Sequence, residues 1–419
     1  MNQTSADIEA TSRGANRNGG LWALGNGLAS TTLVSYFAQS LGAQSASVSW
    51  IIAAPKLVGV LRWFAPNLLQ LGFGYRKTST AAFLLSTFFL LLLPLCAVPN
   101  MWPSATAAIC AIVVCWCLYH LAEYFGHVIF IAWLMQGIPP TIRGRFFGHR
   151  ERWQTAGNLI GYLFAGTLGA ILRNAFEVDM RWITYPFIAV YGAIAIGVSV
   201  IPLWSIPEPK AVAPPTHSLW DDWQHWSGPR ARWFLLYGTW FSAANGLFST
   251  LLSIYPYRGL EVSLLVPLGV AAAMRLGQSL ISRRVGSTID RVGWQWVMIT
   301  GQVITALGPV MFCFGTPGYI AGNLAWIAYA LINVALPIAV VDGRSDRSAA
   351  PPLALYFAWT GLVFAATALV GPLIADWFVS TADRSDPHAY NWYFVVATLV
   401  RLSAIIPLLM LPAETTRSK

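Results

Sequence analysis

Twelve apolar runs recur along the chain, at 21–41, 48–71, 78–98, 104–135, 149–172, 182–203, 232–256, 263–283, 295–316, 318–341, 352–378 and 391–411. Each is about 18 residues or longer, the length an α-helix needs to cross a bilayer. Short polar stretches rich in Gly, Pro and Arg separate them. At 56% hydrophobic and only 10% charged residues, the chain is not an ordinary soluble globule. The pattern therefore predicts an all-α membrane protein with 12 transmembrane helices.

The pattern also repeats itself. Asn26-Gly27-Leu28-x-Ser30-Thr31 returns 219 positions later as Asn245-Gly246-Leu247-x-Ser249-Thr250. At the same offset Lys56-Leu57 falls on Arg275-Leu276 and Gly74 falls on Gly293. Pro207-Glu208-Pro209-Lys210 closes one half, and Pro412-Ala413-Glu414-Thr415-Thr416-Arg417 closes the other. The repeat implies two pseudo-symmetric six-helix bundles. They divide the chain into 1–203, with residues 1–20 as a tail, a linker at 204–231, and 232–419. In the linker Trp220, Trp223 and Trp226 recur every three residues opposite Asp221 and Asp222, which suits a short helix at the membrane interface.

Between two apolar runs of the second half lies Gly286-Ser287-Thr288-Ile289-Asp290-Arg291-Val292-Gly293. An Asp-Arg pair is costly in hydrocarbon, so these residues read as a tight loop at the membrane surface. The spacing G-x-x-x-D-R-x-G resembles the loop between helices 2 and 3, and 8 and 9, of the major facilitator superfamily. In the first half only Gly74 and the basic Arg76-Lys77 survive, with Leu71 in place of the acid. Pro139-x-x-x-Arg143-Gly144, inside an expected helix 4–5 loop at 137–153, resembles a second motif of that family. It is clearest in sugar porters, but Gln136 stands where those have an acid. The resemblance implies a secondary transporter working by alternating access, with helices 1, 4, 7 and 10 around a central cavity. It makes Asp290, Arg291, Gly286, Gly293, Arg143 and Arg145 candidates for a cytoplasmic gate.

Charge then sets the orientation. Of the 26 Lys and Arg residues, 18 fall in the tails, linker and loops of one side, 4 on the other side and 4 within the runs. The positive-inside rule places both termini in the cytoplasm, and the expected location is the cytoplasmic (inner) membrane. The net charge of +9 is thus a topology signal and not a nucleic-acid footprint. The first twenty residues lack the form of a signal peptide. Five cysteines all fall within apolar runs, without disulfide or zinc spacing. Neither a Walker loop, a dinucleotide fingerprint nor a nucleophile elbow occurs, so the expectation is a monomeric non-enzyme without metal or cofactor.

Charges inside the runs are the candidate chemistry, because each needs a partner or water. Lys56 and Arg62 lie in the second run, and Arg275 repeats Lys56 in the eighth. The fourth run carries His120, Glu123 and His127 on one helical face, a set suited to proton relay. Two readings stay open: cations lining a site for an anionic substrate with Glu123 coupling protons, or structural pairing of Glu123 with Lys56 or Arg62. Asn26, Tyr36 and Asn245 complete the substrate candidates. The alternatives from other classes are a metal-dependent membrane enzyme built on His120, Glu123 and His127, and a receptor or scaffold that kept the fold.

Overall fold

The computed structural model describes residues 5–42, 45–69, 73–98, 101–175, 183–208, 226, 228–260, 262, 265–341, 350–378 and 386–412. Within them the chain is helical, without a strand. The first six membrane segments are α1 (Ser5–Leu28, resuming as Thr31–Ser40), α2 (Ser45–Val58, Gly59–Phe64 and Ala65–Leu69), α3 (Gly74–Leu91), α4 (Ala105–Gly137), α5 (Arg143–Ala175) and α6 (Thr184–Val198). The second six are α7 (Pro229–Arg258), α8 (Leu265–Val292), α9 (Trp294–Ala306), α10 (Gly315–Ala325, then Tyr329–Val340), α11 (Ala350–Phe378) and α12 (Asn391–Ser403). By length and composition alone, six helical stretches among the described residues can cross a membrane, the longest being Trp294–Val340, which contains both α9 and α10. Large apolar side chains such as Leu84, Leu85 and Phe88 on α3, or Ile160, Leu163 and Phe164 on α5, are exposed on the outside. On a soluble protein such patches would be a liability; here they face lipid.

Helix ends follow local chemistry. Ser104 begins α4 by accepting the Ala107 N–H at 3.1 Å, an N-cap that satisfies an otherwise orphaned donor. In α1 the helix lapses at Ala29–Ser30 and restarts where the Ser30 hydroxyl accepts the Leu33 N–H at 3.3 Å. In α2 Pro55 and Pro66 cannot donate, and between them Gly59–Phe64 tightens into a 3₁₀ turn whose Gly59 carbonyl accepts the Arg62 Nε–H at 2.7 Å.

Helix packing reproduces the internal repeat. Within the first half α1 packs on α5 and α6, and α3 on α4; within the second, α7 packs on α11, and α9 on α10 and α12. The halves meet where α5 lies along α8 and α2 along α11, two contacts that the repeat makes equivalent. Gly74 and Gly293, 219 positions apart, both adopt positive φ, at 75° and 85°. Only glycine takes this conformation without a penalty, and each turns the chain into the next helix. Arg76 donates to the Ile206 carbonyl at 2.8 Å, and its repeat partner Gln295 donates to the Leu408 carbonyl at 2.8 Å.

Three expectations change. Residues 286–293 are not a loop: α8 runs to Val292 and Gly293 alone breaks it. Likewise α5 starts at Arg143, so the helix 4–5 connection is five residues. Polar residues close to the membrane surface are compatible with helix, and hydropathy ends a span before the helix itself ends. The polar stretch before residue 21 is also helical from Ser5, with Ala15 and Asn18 buried. Trp220 and Trp223 lie outside the described residues, whereas Trp226 is buried with its ring stacked 6.0 Å from Tyr356.

Candidate functional site

The densest polar cluster centres on α4. Glu123 is buried, and its Oε2 lies 2.8 Å from His120 Nδ1. Aromatic rings enclose this imidazole: Trp116 at 4.3 Å, Tyr119 at 4.6 Å and Tyr124 at 5.3 Å between centroids. Tyr124 also carries the Arg62 guanidinium, 3.8 Å from its ring centre, which lies 5.9 Å from Phe357 of α11. Lys56 Nζ stands 5.8 Å over Phe364, also on α11. Between these rings is Gly361, where a Cβ would sit 3.5 Å from the Lys56 carbonyl and 3.8 Å from Arg62 Nη2. Two cations of the first half thus face one stretch of the second. Cation–π contact offsets part of their desolvation. Neither makes an ion pair among the described residues: Glu123 is in contact with His120 and reaches the two cations only by longer-range charge interaction.

His127 departs from this cluster. Its ring stacks on Trp22 of α1 at 5.6 Å, and no three metal-ligating side chains converge among the described residues. The three α4 residues share a helical face without sharing a point, so the metal-enzyme alternative lacks its geometry. Arg275, the repeat partner of Lys56, is half-buried and donates to Gln278 Oε1 at 3.0 Å. The side chain of Tyr36 lies outside the described residues.

Two further units flank the cluster and mirror each other. Asn26 Oδ1 accepts the Tyr119 hydroxyl at 2.9 Å, while Asn26 Nδ2 donates to the Trp22 carbonyl at 3.1 Å. In the second half Asn245 Oδ1 accepts the Tyr329 hydroxyl at 3.2 Å, and its Nδ2 donates to the Phe241 carbonyl at 2.8 Å. The sequence names both asparagines as substrate candidates and does not single out the tyrosines bonded to them. The signal was present: Trp116-x-x-Tyr119 recurs as Trp326-x-x-Tyr329, at an offset of 210 and not 219.

At the end of the bundles that bears the basic loops, Asp290 reaches across to the other half. Its carboxylate accepts the Gly144 N–H at 2.9 Å and the Arg145 N–H at 3.0 Å, and pairs with Arg145 Nε at 3.2 Å. These are free N–H groups of the first turn of α5, where the helix dipole favours an anion. Gly286 lies against Gly144, and Gly148 against Ser282, so closely that a Cβ on any of the three glycines would strike backbone. Arg143 turns away and caps α4 through the Ile138 and Met135 carbonyls, at 3.1 and 2.7 Å. Arg291 is exposed. Two contacts the sequence did not reveal continue the seam: Ser279 donates to the Arg152 carbonyl at 3.0 Å, and Asn333 to Glu151 Oε1 at 3.2 Å. Glu151, two turns into α5, is a further acid at this seam.

Two six-helix bundles related by a parallel repeat, joined by a seam at one end and with charged and amide side chains between them, define a membrane transporter. The family model of the Major Facilitator Superfamily matches residues 19–341, and the chain belongs to this family. It is a multi-pass membrane protein and a secondary transporter. Among solved structures, a D-xylose-proton symporter superposes with TM-score 0.70 at 14% identity, covering 98% of this chain and 99% of that one. FucP in the outward conformation, whose fucose:proton symporter is from E. coli, gives 0.69 at 13% identity, covering 97% and 99%. The human organic anion transporter MFSD10 gives 0.64 at 15% identity, covering 97% and 100%. At these identities the likeness is one of fold. No curated protein matches by sequence.

Proposed function

We propose that this chain moves a small anionic solute by alternating access, coupled to protons through Glu123. The observation that carries the reading is the arrangement of Lys56 and Arg62. Both face α11 of the opposite half over aromatic rings, neither in an ion pair among the described residues, while the one acid whose charge reaches them binds His120. A structural account would have spent Glu123 on one of these cations. Two cations share the charge of one acid, and a buried charge left in excess costs several kcal/mol by order of magnitude, so a visiting anion is the natural counter-charge. A carboxylate and an imidazole 2.8 Å apart are suited to gain and lose a proton together as water reaches them from one side and then the other. The two bundles, residues 1–203 and 232–419, would rock about this centre with both termini in the cytoplasm, the protein sitting as a monomer in the cytoplasmic membrane. Asp290, Arg145, Gly144 and Gly286 would close the cytoplasmic side.

Uptake into proteoliposomes containing the purified protein tests this. With an inward proton gradient, anionic solutes should accumulate; Glu123→Gln should abolish the gradient-driven phase yet retain solute exchange, which need not cycle the proton. Lys56→Gln should weaken substrate binding at every pH. Accumulation by Glu123→Gln at the wild-type rate would end the coupling proposal, and absence of any flux would favour the receptor or scaffold alternative.

A further inference from the structure

The hairpin of α3 and α4 carries two cysteines that the transport reading leaves unused. These helices pack along each other, and their register is pinned where Gly126 of α4 meets Phe83 of α3. A Cβ on Gly126 would lie 3.2 Å from the Phe83 ring. In an antiparallel hairpin, positions further along α3 face positions earlier on α4. Thirteen residues on from Phe83 is Cys96, and eleven residues back from Gly126 is Cys115. At a rise of about 1.5 Å per residue both lie roughly 17–20 Å from the glycine contact, on the same level. There the two thiols meet, each in side-chain hydrogen-bond contact with the other. Both are free thiols.

Cys96 is buried in the 3₁₀ turn Leu93–Ala97 that continues α3, with its Sγ 3.9 Å from the Leu92 carbonyl. Cys115 is half-buried and packs on the same apolar cluster, which holds Leu93, Ala97, Ile112 and Trp116. Trp102 donates to the Leu95 carbonyl at 3.1 Å and folds the connection between the helices back onto this end. The level follows from the length of α3. Gly74 begins the helix at the end that bears the basic loops, and Cys96 comes 22 residues later. That is about 33 Å of helix, against about 30 Å for the hydrocarbon core. The pair therefore lies at the opposite membrane surface, the outer one in the orientation proposed above. Disulfides persist on that side, whereas cytoplasmic thiols are kept reduced.

We infer that Cys96 and Cys115 are a modification site: they close into a disulfide that clips α3 to α4 at the outer surface, by exchange with an oxidised disulfide carrier. Cys115, the more accessible, loses its proton and attacks one carrier sulfur; the other carrier sulfur leaves, and a mixed disulfide remains. Cys96 then loses its proton and attacks Cys115 Sγ, and the second carrier sulfur leaves. Two thiols become one disulfide, and the carrier keeps both electrons and takes up two protons as a dithiol. Both helices belong to the first half, so the clip leaves the halves free to rock. It steadies residues 116–123 of α4 instead, where the Trp116 ring stacks on Tyr119 at 5.1 Å and meets His120 at 4.3 Å. Cys110 and Cys117 point to other faces of α4, and Cys313 lies in the second half, donating to the Asn391 carbonyl at 3.7 Å.

The test treats the purified full-length protein with oxidised glutathione, alkylates it with N-ethylmaleimide and maps its peptides by mass spectrometry without reduction. The expected product is a linked Cys96–Cys115 peptide, two hydrogens lighter than the sum of its parts and cleaved by dithiothreitol, with Cys110, Cys117 and Cys313 alkylated. The oxidised protein should melt a few degrees above the reduced one, because the link restricts the unfolded chain. Cys96→Ala and Cys115→Ala should each lose that difference; Cys115 is only half-buried, so its variant decides the matter if Cys96→Ala folds poorly. In sealed membrane vesicles of known orientation, oxidised glutathione, which is charged and does not cross the bilayer, should form the link from the non-cytoplasmic side alone. Both cysteines alkylated after oxidation, Cys115 linked to Cys110 or Cys117, or a lasting glutathione adduct on Cys115 beside an alkylated Cys96 each overturns the inference. Linked protein that melts with the reduced form overturns the clip, and a link formed from the cytoplasmic side alone overturns its outer placement.

Discussion

Glu123 and Lys56 show how one residue's partner decides between two accounts that the sequence leaves equal. Had the two formed a buried pair, removing either alone would strand a charge at a cost of about 3–5 kcal/mol, and removing both would restore stability. With Glu123 hydrogen-bonded to His120 and only a longer-range charge interaction between it and Lys56, the double variant Lys56→Gln/Glu123→Gln should show a coupling well short of full rescue. Chemical denaturation of the two single variants and the double one measures this; a large positive coupling would return the structural pairing. Arg62 makes a second residue-scale case. Its guanidinium lies on Tyr124 at 3.8 Å, and a planar cation stacks where an ammonium cannot. Arg62→Lys should therefore lose about tenfold in affinity for the transported anion despite keeping the charge, measured by thermal-shift titration.

At the level of elements, the seam between α5 and α8 is the informative one. Asp290 is a helix N-terminal anion acting in trans: it sits on α8 and caps α5. Charge-assisted hydrogen bonds of this kind contribute about 1.5–3 kcal/mol each at most. Asp290→Asn keeps one acceptor and loses the charge, so it should shift the closed-to-open ratio of this end by roughly tenfold. The rate at which a cysteine introduced into the central cavity reacts with a membrane-impermeant reagent from that side should rise accordingly; an unchanged rate would remove the latch role. Gly148→Ala should act in the same direction by steric means, since its Cβ would strike the Ser282 carbonyl.

Which parts were legible in the chain follows from how each is encoded. Hydropathy encodes spans, so the twelve helices were readable, whereas helix ends beyond the hydrocarbon are set by capping and were misread at 286–293 and 143–153. The repeat encodes pairs, so Asn26 with Asn245 and Gly74 with Gly293 could be matched directly. Tyr119 and Tyr329 were missed because their offset had drifted by nine residues, a change in loop length that leaves packing untouched. Partner choice across a bundle, such as His120 over Lys56 for Glu123, depends on rotamers and helix rotation, and no spacing rule carries it.

For the whole molecule, the charge bias makes a prediction independent of any side-chain detail. Reporter fusions at the C-terminus and within residues 379–390 should report opposite sides of the membrane, with the C-terminus cytoplasmic. Both on one side would contradict twelve crossings. The pseudo-symmetry is also incomplete in a useful way. In the second half Asp290 grips the other half, but in the first half Glu208 grips its own: it accepts the Arg76 N–H at 3.1 Å and closes over Gly74 at the start of α3. Glu208→Gln should accordingly lower the melting temperature by a few degrees without altering cavity accessibility, while Asp290→Asn does the reverse.

Where Gly144, Gly148 and Gly286 meet, backbone touches backbone with nothing between. Long side chains interdigitating at a joint must be frozen each time it shuts and released each time it parts, and every frozen chain costs up to about 2 kcal/mol of entropy. A joint of bare glycines has no such toll in either direction. It can be shut firmly by a single carboxylate and still part quickly when that carboxylate lets go, which is the behaviour wanted of a surface that opens and closes once in every turnover.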